Sequence, residues 1–319
     1  MPLDPYAKRF LDMVAVGGLP DASQLSPAAM RQAMLQLAQA VDAKNVPIGR
    51  VENRGIPGPG GQISIRVYTP LQMDDGITAG LIYFHGGAGV FCNLDTHEGF
   101  CRILANESAC RIISVDYRLA PEHQFPAAID DSYFASKWVF DNAAELGLDR
   151  SRIAVGGDSA GGTLATVVCQ TAKRLESPKL ALQVLFCPVT DATGDTQSRR
   201  ALASGYFLET RTIDWALKYY CAASVDLKDP RMSPLYASDV TGLPKAHVHT
   251  AEYDPLRDEG KAYAELLQRS GVDVEYTCHQ GMIHHFYAMA GAIPYARTAI
   301  GAAGMAIKKA LRPETSLCL

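Results

Sequence analysis

Short runs of apolar residues alternate with segments of helical periodicity along most of this chain. The runs are short and rich in branched side chains, which is typical of buried β-strands. They lie at 63–68, 81–84, 111–115, 153–155, 180–186, 246–250 and 272–278. Helical patterns lie at 97–109, 127–145, 160–175, 212–222, 258–270 and 296–311. The alternation predicts the α/β class, with a mostly parallel central sheet and helices on both faces.

Two regions depart from this alternation. Residues 1–45 show two helical patterns without a strand, and a Gly/Pro-rich passage at 55–61 then breaks the pattern. Residues from about 190 to 235 contain loop signals and one helical pattern, but no clear strand. We predict that 1–45 and this insertion together cover the strand ends of a main domain at 46–319, where ligands bind in such folds. The alternative is that both only pack at the periphery.

Composition and charge exclude several classes of protein. Of 319 residues, 48% are hydrophobic and 20% charged, which argues against a disordered or fibrous protein. The formal net charge is −4, without the basic surplus of a nucleic-acid-binding protein. The weakly polar stretch 286–296 is interrupted by Pro294, and the N-terminus lacks an apolar run of signal-peptide length. We therefore expect a cytoplasmic protein without a membrane or nucleic-acid partner.

The eight cysteines do not form a recognisable framework. No pair has the Cys-x-x-Cys spacing of a zinc or redox site, and most cysteines lie among apolar neighbours. We expect buried, reduced thiols rather than disulfides.

The strongest chemical signal is Gly157-Asp158-Ser159-Ala160-Gly161, which lies between a predicted strand and a predicted helix. This pattern, G-x-S-x-G, forms a sharp turn that exposes a nucleophilic serine. Glycines on both sides avoid crowding in the strained turn. The amide of Ala160, at the start of the helix, is then placed to bind an oxyanion. A glycine-rich turn that only joins strand to helix is the alternative.

A second glycine-rich loop, His85-Gly86-Gly87-Ala88-Gly89, follows the strand at 81–84. Backbone amides without side chains can approach a ligand oxygen closely, as in the HGGG-type loops that complete an oxyanion hole. We predict Gly86 and Gly87 as donors beside Ala160. His85 is expected to hold the loop by hydrogen bonding rather than to act as a base.

An acid should follow the serine in the chain, and then a histidine. Asp254 comes just after the predicted strand at 246–250, where catalytic residues collect, and is the predicted acid. Asp258 is an alternative, although it falls one helical turn later and reads as a helix-face or capping carboxylate.

The predicted base is His284, in a loop after the strand at 272–278, with His285 as the alternative. His279, at the end of that strand, reads as a structural hydrogen-bonding residue, as do His247 and His249 within the preceding strand. Adjacent histidines rarely point at one ion, and no H-E-x-x-H spacing is present, so we expect no metal.

Taken together, these motifs resemble those of the hormone-sensitive-lipase-like esterases (bacterial family IV) of the α/β-hydrolase superfamily, in the subgroup with the sequence Gly-Asp-Ser-Ala-Gly. The likeness covers about 60–310. The motifs that carry it are His85-Gly86-Gly87, 117–123, 125–128, Gly157 to Gly162, Asp254 to Asp258 and Met282-Ile283-His284. The resemblance implies an α/β-hydrolase fold of about eight strands with a helical cap, ester hydrolysis without a cofactor, and a homodimer joined along an edge strand.

Two residues depart from the pattern of that family. Ala88 replaces the usual third glycine of the loop, and His285 stands where glycine is common after the catalytic histidine. Ala88 can still donate its amide, but its methyl group narrows the pocket. The candidate pocket residues are Phe91, Phe207 and Leu208, each of which has a core interpretation as well, together with Asp158, which we expect to tune the loop or contact substrate.

The function predicted from the sequence is a serine carboxylesterase for short- to medium-chain esters. Its substrate is a small-molecule ester, and the triad is Ser159, His284 and Asp254. The alternatives are an amidase or a lactone hydrolase, because the same triad serves both reactions. A binding protein on the same fold, like the plant gibberellin receptors that the family resembles, would lack the histidine that this chain has.

Overall fold

The computed structural model describes residues 1–16, 24–72 and 76–312. These residues form one sheet of eight strands. In chain order the strands are β1 (Arg50–Gly58), β2 (Gly61–Thr69), β3 (Thr78–Phe84), β4 (Arg111–Asp116), β5 (Leu148–Asp158), β6 (Leu182–Phe186), β7 (Lys245–Tyr253) and β8 (Val274–Ile283). Their spatial order is β1-β2-β4-β3-β5-β6-β7-β8. β1 and β2 pair antiparallel to their neighbours, and all later pairs are parallel. The predicted α/β class and mostly parallel sheet are confirmed.

Helices cover both faces of the sheet. They are α1 (Pro5–Val16), α2 (Pro27–Val41), α3 (Glu98–Ser108), α4 (Ala127–Asp141), α5 (Ala160–Arg174), α6 (Gln197–Ala201), α7 (Thr210–Tyr220), α8 (Arg257–Arg269) and α9 (Tyr295–Ala310). Side chains alternate between the faces of a strand. In β3, Leu81 and Tyr83 therefore pack with α1, α3 and α9, whereas Ile82 and Phe84 pack with α4, α5 and α8.

Strand β1 was not predicted, because its sequence carries no strand pattern. Only Ile56 is buried among its nine residues. The sequence pattern of a strand is interrupted by Gly55, Pro57 and Gly58. The strand lies at the edge of the sheet and, among the described strands, pairs with β2 alone. Proline and charged residues are tolerated at such an edge, because one side of the strand makes no ladder hydrogen bonds.

Helix α2 lies over the loops that follow the strands. Its N-terminus is capped by Ser26, whose hydroxyl accepts from the Ala29 amide at 3.2 Å, and Pro27 occupies the first turn. Arg31 on this helix donates to the carbonyl oxygens of Val90 at 2.9 Å and Ala120 at 2.7 Å, and forms an ion pair with Glu122 at 2.6 Å. One guanidinium thus links α2 to the loops that follow β3 and β4.

Helix α7 lies beside this region, in the insertion expected at about 190–235. Its Trp215 ring N–H donates to the carbonyl oxygen of Leu25 at 3.1 Å, so the insertion and the N-terminal segment are in direct contact.

Seven of the eight cysteines fall within the described residues, and all seven are free thiols. Cys278 is half-buried and the other six are buried; Cys318 lies outside the described residues. Within the described ranges, none of the helices is both long and apolar enough to cross a bilayer.

Candidate active site

Ser159 occupies the turn between β5 and α5. Its backbone has φ +53° and ψ −121°, a strained conformation for a residue with a side chain. The turn is tight enough to require glycine nearby: a Cβ on Gly161 would lie 1.9 Å from the Phe84 carbonyl oxygen, and one on Gly157 would lie 2.3 Å from that of Gly161. Ser159 lines a cavity with mostly apolar walls, called the main cavity below.

His284 and Asp254 form a direct hydrogen bond in the same place. Nδ1 of His284 donates to Oδ2 of Asp254 at 2.8 Å, and the Leu256 amide donates to Oδ1 at 2.8 Å. Asp254 is completely buried. Because Nδ1 carries the proton, Nε2 of His284 is left as a proton acceptor. His284 lines the same cavity as Ser159.

The electrostatics of this pair suit a general base. Burial alone would lower the pKa of His284, but the Asp254 carboxylate stabilises the imidazolium, and the pKa is raised overall above its ordinary value.

Asp258, the alternative acid, makes hydrogen bonds that link two helices. The carboxylate of Asp258 accepts from the Ser198 amide at 2.7 Å and from Arg257 Nε at 2.9 Å. It therefore ties α6 of the insertion to the start of α8. This favours Asp254 over Asp258 as the acid of the triad.

The other histidines lie in structural surroundings. His279 is within 3.3 Å of His249, 2.5 Å of the Tyr287 hydroxyl and 3.1 Å of the Tyr295 hydroxyl. Burial lowers the pKa of His279 to about 4, so it is neutral at physiological pH. His247 is buried in β7 and faces Glu275 at 3.7 Å.

The loop after β3 departs from the prediction at Gly86. The amide of Gly86, predicted as an oxyanion donor, donates instead to Oδ1 of Asp158 at 2.8 Å in this structure. The next two residues, Gly87 and Ala88, line the cavity that holds Ser159. Both have positive φ, +106° and +53°, which rotates their peptide planes relative to that of Gly86.

His85 holds the start of this loop, as expected. Its Nδ1 donates to the carbonyl oxygen of Gly86 at 2.7 Å, and its ring stacks on Tyr117 with centroids 4.4 Å apart. The Tyr117 hydroxyl donates to the His85 carbonyl oxygen at 2.6 Å. Burial lowers the pKa of His85 to about 3, so the ring stays neutral.

Asp158 is a buried anchor rather than a wall of the main cavity. Its Oδ1 accepts from the Tyr83 hydroxyl at 2.6 Å as well as from Gly86, and Nε2 of His97 lies 3.1 Å away. Nδ1 of His285 lies 3.3 Å from Oδ2. Burial alone would raise the pKa of Asp158, but His97 and His285 hold it well below its ordinary value. The carboxylate thus connects the loop after β3, the turn at Ser159 and the loop that holds His284 and His285.

Changing Asp158 to asparagine is expected to lower kcat by about 10- to 10²-fold with a smaller change in KM. The amide still accepts from Gly86 but cannot accept from both histidines, so the two loops shift relative to Ser159, and misplacements near 1 Å cost rates of this order. The measurement is steady-state hydrolysis of p-nitrophenyl butyrate. Asp191→Asn, at another buried aspartate, is the control and should keep its kcat. Equal rates in both variants would contradict the anchoring role.

The main cavity has a volume of about 430 Å³. Its apolar walls come from α1, α2, the insertion and the loop after β3, and they include three of the predicted pocket residues, Phe91, Phe207 and Leu208. Phe91 also packs against Trp215 in a small hydrophobic cluster, so it belongs to both pocket and core.

Three residues near the nucleophile were missed because nothing in their local sequence marks them. His97 and Tyr83 meet the nucleophile turn only through Asp158, far away in the chain. Cys187, after β6, has its sulfur within 4.8 Å of ligand atoms of Asp254 and His284.

Two groups of described residues hold potential metal-ligating atoms within 4.8 Å of one another. One is His97, Asp158 and His285, and the other is Cys187 with Asp254 and His284. Both contain direct histidine–carboxylate contacts, at 3.1 and 2.8 Å, so we assign them to hydrogen bonding.

The chain is similar to a known protein family and to several named esterases. Residues 81–288 match the family described as alpha/beta hydrolase fold. Carboxylesterase NlhH of Mycobacterium tuberculosis is 39% identical over 315 residues, 97% of this chain and 96% of that protein. Ethyl acetate hydrolase of Pseudomonas putida is 41% identical over 236 residues, 73% of this chain and 74% of that protein. The solved structure of a hyperthermophilic esterase from the archaeon Pyrobaculum calidifontis has a TM-score of 0.93 and 40% identity, covering 98% of this chain and 100% of that one.

Proposed function

Because this chain belongs to the hormone-sensitive-lipase-like esterases of the alpha/beta hydrolase fold and is a carboxylesterase, we propose that Ser159, His284 and Asp254 are its catalytic triad. The observation that carries the proposal is the 2.8 Å bond from His284 Nδ1 to the buried Asp254, on the cavity that also holds Ser159. We also assign the chain to the subgroup with aspartate before the nucleophile, on the sequence Gly157 to Gly161.

The reaction follows from the proton positions. Oγ of Ser159 attacks the ester carbonyl carbon while its proton moves to Nε2 of His284. Asp254 holds the ring in this tautomer and stabilises the imidazolium. The bond to the alcohol oxygen then breaks, and Nε2 returns the proton to the departing alcohol. Water repeats the sequence on the acyl-enzyme: its proton passes to Nε2, its oxygen attacks the acyl carbon, and Ser159 leaves with the proton.

The oxyanion is bound by the amides of Gly87, Ala88 and Ala160 in this proposal. Gly87 and Ala88 line the cavity, and Ala160 begins α5, where the helix dipole favours negative charge. Losing one such donor costs about 3 kcal/mol of transition-state stabilisation. Ala88 replaces Gly86 in this role because Asp158 occupies the Gly86 amide.

The acyl chain is assigned to the main cavity, beneath a cap formed by α1, α2 and the insertion. Its volume of about 430 Å³ lies within the roughly 300–1,000 Å³ range of small-molecule sites. Walls such as Leu11, Met34 and Leu208 are apolar, which suits a hydrocarbon chain. The preferred substrates are therefore esters of short- to medium-chain acids.

Initial rates on p-nitrophenyl esters from acetyl to palmitoyl test the proposed function. We expect the highest kcat/KM at short to medium chain length and a steep fall for palmitoyl, because the cavity under the cap has a limited volume. The Ser159→Ala variant measures the background. A profile that rises steadily to palmitoyl would overturn the acyl assignment, and absence of turnover on every ester would overturn the triad.

The dependence on pH tests the base. His284 must be neutral to accept the proton of Ser159, and Asp254 raises the pKa of His284 above 6.5. Protonation on the acidic side removes the base, so kcat/KM is expected to fall as pH decreases, with a midpoint above pH 6.5. A profile that stays flat down to pH 5 would contradict the assignment of His284.

We also propose that the protein is cytoplasmic and forms a homodimer. The seven described cysteines are free, which fits a reducing compartment. The outermost strand β8 pairs only with β7 among the described strands, so a second copy has an edge at which to add.

A further inference from the structure

His285 stands between two spaces. It lines the main cavity of about 430 Å³ and also a small void of about 10 Å³ on its other side. Of the residues that line both, Ser159 and His284 are already assigned to the triad. His285 is therefore the remaining side chain that separates the void from the substrate cavity.

The void is lined mainly by aromatic side chains. Its walls carry the aromatic rings of Tyr83, Phe100, Phe186 and Tyr287, together with His97. The rings contact one another edge to face, with Phe100 and Phe186 centroids 5.4 Å apart and Phe186 and Tyr287 centroids 4.7 Å apart. The Asp158 carboxylate also lines the void, where its Oδ1 is occupied by the Tyr83 hydroxyl and the Gly86 amide. The ring walls suit an aromatic or branched hydrocarbon group, but the space beside His285 holds no more than about one water.

The ring of His285 is held in this position from several sides. Its Nδ1 contacts Oδ2 of Asp158 at 3.3 Å, and its face lies parallel to Phe207 at 6.4 Å between centroids. The His97 ring meets it edge-on at 5.2 Å. Burial lowers the pKa of His285, so the ring is neutral and can form part of an apolar wall.

We infer that His285 is a specificity-determining residue that closes the aromatic void and thereby restricts the enzyme to acyl groups without a branch beside the ester carbonyl. The inference rests on the proposed function, which places the acyl chain in the main cavity. Because Ser159, the proposed nucleophile, borders the void, a substituent on the carbon next to the ester carbonyl lies close to it. Removing the imidazole joins the two spaces, and the new subsite accepts a branch such as a phenyl group.

His285→Gly is the variant that opens the void. Residue 285 has φ +63°, a left-handed conformation that glycine adopts without steric cost, so the variant is expected to fold. The matched control is His285→Asn, because asparagine also tolerates this conformation and can still reach toward Asp158. Thermal melting verifies that both variants are folded.

The readout is the ratio of kcat/KM for p-nitrophenyl 2-phenylpropanoate to that for p-nitrophenyl butyrate. We expect this ratio to rise by about 10-fold or more in His285→Gly, the size of effect that hydrophobic subsites produce, and by much less in His285→Asn. A merely structural role would lower both rates together and leave the ratio unchanged.

Two results would overturn the inference. One is an unchanged ratio in His285→Gly although wild-type enzyme hydrolyses the butyrate ester; the other is a gain confined to esters of bulky alcohols, such as 1-phenylethyl acetate. Failure of the wild-type enzyme on butyrate would instead count against the proposed function, so the two failures are distinguishable.

Discussion

Replacing Ser159 with alanine is expected to lower kcat by on the order of 10⁶-fold, because the variant has no nucleophile and a triad acts as a unit. The substitution removes one oxygen from a side chain that makes no capping hydrogen bond to α5. Alanine also shares the backbone cost of serine at φ +53°, so the melting temperature should stay close to that of the wild type.

The measurement is single-turnover and steady-state hydrolysis of p-nitrophenyl butyrate, together with thermal unfolding. Ser136→Ala provides the control, because Ser136 is also buried but lies in α4 and bonds only the backbone of Ser132, at 2.8 Å. It should retain activity. Residual turnover within 10²-fold of wild type in Ser159→Ala would contradict the assignment of the nucleophile.

Changing Asp254 to asparagine is expected to lower kcat by about 10⁴-fold while the fold is retained. The carboxylate accepts the Nδ1 proton of His284 at 2.8 Å. An amide NH₂ in its place favours the other tautomer, in which Nε2 carries the proton and cannot take one from Ser159. The charge that raises the pKa of His284 is also lost, so the acidic limb of any remaining activity should move to lower pH.

Asp258→Asn separates the two candidate acids. Its carboxylate bonds the Ser198 amide and Arg257, and not a histidine, so kcat should remain within a few-fold of wild type. The expected cost is stability, about 1 kcal/mol for a weakened hydrogen bond. A larger loss of kcat in Asp258→Asn than in Asp254→Asn would reverse the assignment.

Most of the scaffold follows from local pattern. Buried strands such as β3 and β4 carry an apolar run at their centre, Leu81 to Phe84 and Ile112-Ile113, because helices cover them on both faces, so they are recognisable from the sequence alone. β1 is the exception, since an edge strand with one buried residue carries no such signal. The prediction of Asp254 and His284 uses chain order, because each directly follows a strand and the ends of parallel strands meet at one edge.

Seven of the eight described strands, the turn at Ser159 and the predicted acid and base thus follow from residues that are neighbours along the chain or from chain order. The hydrogen bond from the Gly86 amide to Asp158, a residue 72 positions away, is visible only in the folded chain. The tertiary structure also decided that Asp158 is an anchor and that His285 separates two spaces. The physical reason is that peptide orientation, hydrogen-bond partners and cavity walls depend on contacts between distant segments, which local sequence patterns do not encode.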